Sequence, residues 1–141
     1  MITKAAKLSY EEISLGSTWA FSRTISREDV LSFASLSGDF NPLHVDESFA
    51  SESYFGKNVV HGMLTSSLFS TLVGMYCLGE NNLYLSQALQ FKNPLFYGET
   101  VEVRGTVINK VDAFRMLKLK TEIYRDTDLI VTGEAQVKVL E

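Results

Sequence analysis

From Val59 to Gly79 the chain carries no formal charge. A run of that length either crosses a bilayer or is enclosed within a folded domain. Five hydroxyl residues (Thr65, Ser66, Ser67, Ser70 and Thr71) dilute it, and Gly62, Gly74 and Gly79 interrupt it. A lone membrane helix would tolerate neither well. The run therefore predicts a helix from Gly62 to about Leu78, roughly 25 Å long, buried on all sides by the rest of the chain. At 141 residues one domain is long enough to do this, since a chain of that size buries about two-thirds of its unfolded surface. The start, Met1 to Glu12, mixes Lys4, Lys7, Glu11 and Glu12 without an apolar core, unlike a secretory signal. The chain reads as a cytoplasmic, single-domain protein over 1–141 with no membrane partner.

The second half supplies the enclosure. Leu83, Leu85, Leu89 and Phe91 alternate with Tyr84, Ser86, Ala88 and Gln90; Val101, Val103 and Val107 alternate with Glu102, Arg104 and Thr106. Leu117, Leu119 and Ile123 oppose Lys118, Lys120 and Glu122, and Val131, Ala135, Val137 and Val139 oppose Thr132, Glu134, Gln136 and Lys138. Period two marks strands with one buried and one wetter face, as in an antiparallel sheet. Breaks are expected at Asn93-Pro94, Tyr97-Gly98, Asn109 to Asp112 and Asp126 to Asp128. A fifth strand is expected near Thr18 to Ile25, with Trp19, Phe21 and Arg23 on one face. The fold class is α+β: about five antiparallel strands curled around one long central helix.

The first half is helical. Ser26 followed by Asp29 reads as a capping box that starts a helix running to about Leu36. Gly38 ends it, and Pro42 holds Asn41 in extended geometry. Asp46 is placed to cap a short helix through Ser51.

Charge and scarce residue types limit the chemistry. A net charge of −4 with scattered basic residues argues against a nucleic-acid partner, because phosphate binding needs clustered Lys and Arg. Cys77 is the only cysteine, which rules out an internal disulfide and a Cys-rich zinc site. The two histidines, His44 and His61, lie too far apart in sequence from each other and from Cys77 to suggest a metal site, and no cofactor motif is present. No metal or cofactor is expected.

Two short segments carry a chemical reading. Asp39 and His44 flank a loop freed by Gly38 and pinned by Pro42, so both side chains can converge on one pocket. A carboxylate beside an imidazole can hold a water and exchange protons with it near neutral pH. The plainer alternative, that Asp39 caps a turn and His44 fills the mouth of a core, is favoured by spacing alone. Gly62 opens the uncharged helix, so its N–H is one of the unpaired donors at a helix start. A ligand atom can approach a glycine N–H closely, and the helix end favours an oxygen gaining negative charge. Close helix packing is the alternative role for Gly62. His61 is expected to orient this junction rather than to titrate.

The run Leu36-Ser37-Gly38-Asp39-Phe40-Asn41-Pro42-Leu43-His44, followed by Val59-Val60-His61-Gly62-Met63, resembles the MaoC-like (R)-specific enoyl-CoA hydratases, also called hydratase 2. The likeness extends from about Ser17 to Leu140. It takes in Tyr84-Leu85-Ser86-Gln87, Phe91-Lys92-Asn93-Pro94 and Val131-Thr132-Gly133-Glu134-Ala135, and the length is similar to that of the short polyhydroxyalkanoate-linked bacterial type. The resemblance implies a hot-dog fold, a homodimer, and syn addition of water to a trans-2-enoyl-CoA giving an (R)-3-hydroxyacyl-CoA. By the same resemblance Asp39 and His44 handle the water, Gly62 donates to the thioester oxygen, and Asn41 fixes the loop. Ser70 matches a position near the active site, with helix packing as its alternative role. Chain length would depend on how far Phe69, Leu72, Val73 and Tyr76 crowd the acyl tunnel. The partner is an acyl-CoA, with an acyl-carrier protein as the alternative carrier. Two rival readings are a hot-dog acyl-CoA thioesterase and a non-catalytic acyl-thioester binding protein. The thioesterase reading is weakened because many such enzymes place an acid on the central helix, whereas Gly62 to Gly79 holds none.

Overall fold

The computed structural model describes residues 2–140. Five strands form one antiparallel sheet: β1 (Thr18–Thr24), β2 (Asn82–Phe91), β3 (Thr100–Val111), β4 (Met116–Arg125) and β5 (Asp128–Val139), in the order β1-β3-β4-β5-β2. The two edges are thus β1 and β2. On β3, β4 and β5 the faces follow the alternation read from the sequence. Val101, Val103 and Val107, Leu117, Leu119 and Ile123, and Val131, Ala135, Val137 and Val139 are all buried.

The helices of the first half lie where their signals put them. Helix α1 (Arg27–Ser37) begins at Ser26 with both hydrogen bonds of the capping box and ends at Gly38, whose φ of 81° is left-handed. That conformation costs a glycine little and a side-chain-bearing residue more. After Asn41 the chain re-enters a helix at once as α2 (Pro42–Val45), because proline is well placed at the first helical position and Asn41 Oδ1 caps it by accepting the Leu43 N–H at 3.0 Å. Asp46 caps α3 (Glu47–Ser51) as expected.

The buried run is helical but not one regular α-helix. It comprises α4 (Gly62–Ser66), α5 (Leu68–Thr71) and a π-helical stretch, Leu72–Cys77. The hydroxyls explain the first break. Thr65 Oγ1 donates to the His61 carbonyl at 3.2 Å, Ser66 Oγ to Met63 at 3.0 Å and Ser67 Oγ to Leu64 at 2.5 Å, competing with the backbone ladder for its acceptors. At the far end the Leu78 N–H bonds back to the Val73 carbonyl, five residues earlier, which is the wider π pattern. The rod still does what the sequence demanded. Phe69, Leu72, Val73, Cys77 and Leu78 are buried, and the π stretch packs against β1, β2 and β3. Enclosing side chains of this size is worth roughly 1.5–3 kcal/mol each.

Two strand details differ from the sequence reading. On β2 a bulge between Tyr84 and Ser86 reverses the phase. Tyr84 and Leu89 pack on the core, while Leu83 and Leu85 are each 46% exposed. β3 runs through the expected break at Asn109 to Val111, after a bulge at Ile108, and turns only at Asp112–Phe114. The amino-terminal segment supports this extension: the Tyr10 hydroxyl donates to Asp112 at 2.6 Å and Lys110 Nζ to the Tyr10 carbonyl at 3.1 Å.

Candidate active site

The loop after α1 and the start of α4 meet at one point. Gly38 reverses the chain, and the Asp39 carboxylate then accepts the Asn41 N–H at 3.1 Å. Asn41 in turn caps α2, which carries His44. Carboxylate and imidazole are therefore fixed relative to each other by consecutive local hydrogen bonds. His44 Nδ1 lies 2.7 Å from the Val59 carbonyl, so that carbonyl accepts from it and Nε2 is left to face the site.

Longer-range contacts hold the same loop. The Asn58 amide donates to the carbonyls of Leu43 at 3.0 Å and Asp46 at 3.2 Å. The Tyr97 hydroxyl donates to the His44 carbonyl, and burial pushes that hydroxyl above its ordinary pKa, keeping it a donor. Neither Asn58 nor Tyr97 stands out as a site residue by its type or spacing. Their roles come from tertiary placement.

His61 is nearer to the chemistry than the sequence spacing suggested. Its ring stacks on His44 at 3.9 Å, and its Nε2 lies 3.0 Å from the Asp39 carbonyl and 3.9 Å from the Asp39 carboxylate. Ligand-type atoms of Asp39, His44 and His61 all fall within 4.8 Å of one another, so distance along the chain was a poor ground for separating the two histidines. Their arrangement nonetheless suits a shared water better than a shared ion. Imidazole lone pairs lie in the ring plane, and rings stacked at an interplanar angle of 28° do not aim two nitrogens at one ion about 2 Å away.

Beside the cluster opens a cleft of about 480 Å³. Its lining includes the polar groups of His44, Gly62, Thr65, Lys92 and Asn93 and, among the apolar ones, Phe55, Val59, Met63, Phe91, Ile130 and Val131. A Cβ on Gly62 would meet the Phe91 ring at 2.9 Å, so glycine lets that ring, itself a wall of the cleft, pack against the helix start. The anticipated tunnel residues are elsewhere. Phe69, Leu72 and Val73 are core, and Tyr76 stacks on Phe21 at 4.8 Å. Ser70 is exposed on α5 and is not among the residues lining the cleft. Cys77 is buried, and burial pushes its thiol up to about 12, which makes it inert.

A model of the MaoC like domain matches residues 14–128. The chain belongs to the MaoC-like family. It is 39% identical over 133 residues to the (R)-specific enoyl-CoA hydratase of Aeromonas caviae, covering 94% of this chain and 99% of that protein. It is 34% identical to a 3-hydroxybutyryl-CoA dehydratase of Methylorubrum extorquens, covering 99% of this chain and 88% of the relative. Its fold matches the solved structure of an (R)-hydratase from A. caviae involved in PHA biosynthesis, with a TM-score of 0.89, 39% identity and coverage of 93% and 99%. The five-stranded sheet around a central helical rod is the hot-dog fold of these MaoC-like hydratases.

Proposed function

We propose that this chain catalyses the (R)-specific, reversible hydration of trans-2-enoyl-CoA to (R)-3-hydroxyacyl-CoA. The observation that carries the reading is the Asp39/His44 pair, held by Asn41 and Val59 with side-chain atoms within 4.8 Å of each other, whose His44 lines an apolar cleft. The identity to hydratases over nearly the whole chain supports it.

A water placed between the Asp39 carboxylate and His44 Nε2 adds to Cβ of the enoyl thioester. One of the pair takes a proton from the water as its oxygen bonds to Cβ, and the other delivers a proton to Cα on the same face. The two act as one coupled proton store. As the C–O bond forms, negative charge moves onto the thioester oxygen, and the Gly62 N–H at the start of α4 donates to it. A donor in that role is worth about 3 kcal/mol of barrier. The apolar walls, Phe55, Met63, Phe91, Ile130 and Val131, receive the acyl chain, and the carrier is CoA, with an acyl-carrier protein as the alternative.

The working unit is a homodimer. The reading is supported by the exposed Leu83 and Leu85 on edge strand β2, a surface that a second copy would cover. No helix among the described residues is long and apolar enough to cross a membrane, in keeping with a cytoplasmic enzyme. The thioesterase alternative is not favoured: the relatives are hydratases and dehydratases, and the rod from Gly62 to Cys77 carries no acid.

The test follows loss of enoyl absorbance with crotonyl-CoA and longer enoyl-CoAs, then determines product chirality. Hydration to the (R) product is expected. Hydrolysis of the thioester, an (S) product, or no turnover at any chain length overturns the reading.

A further inference from the structure

Building on the hydratase reading, we propose that His61 is a positioning residue that fixes Asp39 relative to His44 and the Gly62 N–H through a single Nε2–H donor. His61 is only 2% exposed. A buried imidazole calls for a reason, because a polar ring in a core is costly unless its hydrogen bonds are used.

Its partners supply that reason. The Asp39 carbonyl, 3.0 Å from Nε2, can only accept, so Nε2 carries the hydrogen. The Asp39 carboxylate lies 3.9 Å from the same nitrogen, beyond hydrogen-bond distance, so the hold is on the Asp39 backbone. The side-chain hydrogen bonds at Asp39 itself are otherwise local: Ser37 Oγ accepts the Asp39 N–H at 3.2 Å and Asp39 Oδ1 accepts the Asn41 N–H, while Asn58 and Tyr97 hold the loop farther on, at Leu43 to Asp46. Asp39 is half exposed, and His61 is the contact that ties it to α4 across 22 residues of chain.

The ring faces complete the lock. One aromatic neighbour, His44, stacks at 3.9 Å, and another, Phe33 of α1, meets the ring edge-on at 4.8 Å and 60°. His61 is thus a wedge that sets the spacing between α1 and the His44 ring. Its carbonyl accepts the Thr65 N–H at 3.0 Å and opens α4, so the residue also fixes the direction of the following Gly62 N–H. The other nitrogen, Nδ1, has no hydrogen-bond partner among the described residues. Donor and ring can therefore be removed separately.

Two substitutions do so. His61→Phe keeps a ring between Phe33 and His44 and lacks the donor; His61→Gln keeps an N–H near the position of Nε2 and lacks the ring. Misplacement of a reacting group by about 1 Å costs on the order of 100-fold. His61→Phe is expected to lower kcat for enoyl-CoA hydration about 10- to 100-fold with KM within about twofold, and His61→Gln to recover to within about fivefold of the parent. Two results overturn the proposal: a Phe variant within twofold of the parent, or a Gln variant as slow as the Phe variant. Absence of hydration by the parent protein sinks the hydratase reading instead, which keeps the two failures distinct. Imidazole ¹⁵N resonances of the unsubstituted protein test the same point without any variant. Protonation at His61 Nε2 is expected, and an Nδ1–H tautomer overturns the proposal.

Discussion

At the scale of single residues, the site separates chemistry from stability. Asp39 and His44 sit at a surface-facing loop and contribute little core area, so Asp39→Asn and His44→Ala should each leave the thermal midpoint within a few degrees of the parent. Each should cut hydration at least about 100-fold, as expected when one member of a proton-transfer pair is removed. Circular dichroism melts beside a crotonyl-CoA assay check both halves. A variant that melts normally and turns over like the parent refutes the assignment of that residue. Gly62→Ala probes a different property. The added methyl would lie 2.9 Å from the Phe91 ring, which is 53% exposed and free to swing aside. Stability should change little, while kcat/KM falls about tenfold or more because the donor's approach is obstructed. Unchanged kcat/KM would remove Gly62 from the mechanism.

At the scale of elements, helix α1 shows how a local signal survives into the fold. Asp29 accepts the Ser26 N–H at 2.9 Å, and Ser26 Oγ accepts the Asp29 N–H at 3.1 Å. The Ser26 N–H foremost, then its hydroxyl and Arg23, hold the Asp29 carboxyl below its ordinary 3.8. Its folded pKa being depressed, the stabilisation is complete above about pH 3.8 and is lost as pH falls through the folded value. Asp29→Asn should cost about 1 kcal/mol at pH 7, with the gap to the parent narrowing as the pH falls below about 3.8; urea unfolding at pH 7 and at pH 3 measures it. A gap that persists unchanged at pH 3 argues against the charged cap. Capping boxes, turn prolines and period-two faces were legible because each depends on neighbours a few positions away. The phase of β2 was not legible. One extra residue at Leu85 turns every later side chain over, and nothing in alternating letters announces it. The break after Ser66 in the central rod was hidden for a related reason: hydroxyls that looked like mere dilution of a membrane span act by taking backbone acceptors. Asp39, His44 and Gly62 could be picked out from their loop and helix start, whereas the stacking of His61 on His44 depends on how Val59 and Val60 are held against Leu43 and Leu95, a pairing that sequence distance conceals.

For the whole molecule, the open edge of the sheet is the feature that size and composition do not account for. β2 ends the sheet and turns Leu83 and Leu85 outward, an arrangement that invites association unless it is covered. Light scattering should give twice the 15.8 kDa chain mass, and Leu85→Arg should shift the protein toward monomer with loss of turnover. A parent protein that is monomeric at micromolar concentration contradicts the dimer. The site is also laid out unevenly along the chain. Phe33, Asp39, Asn41, His44, His61 and Gly62 all fall before residue 63, whereas the walls of the cleft come from both halves: Phe55, Val59 and Met63 from the first, and Phe91, Ile130 and Val131 from β2 and β5. Substitutions at Ile130 and Val131 would reshape the cleft from β5 away from the loop that carries Asp39 and His44, whereas Phe91 lies against Gly62 and Phe55, Val59 and Met63 belong to the first half. Breeding this enzyme toward longer or branched acyl groups would begin on β5, the one wall that can be rewritten without disturbing either the loop or the helix start.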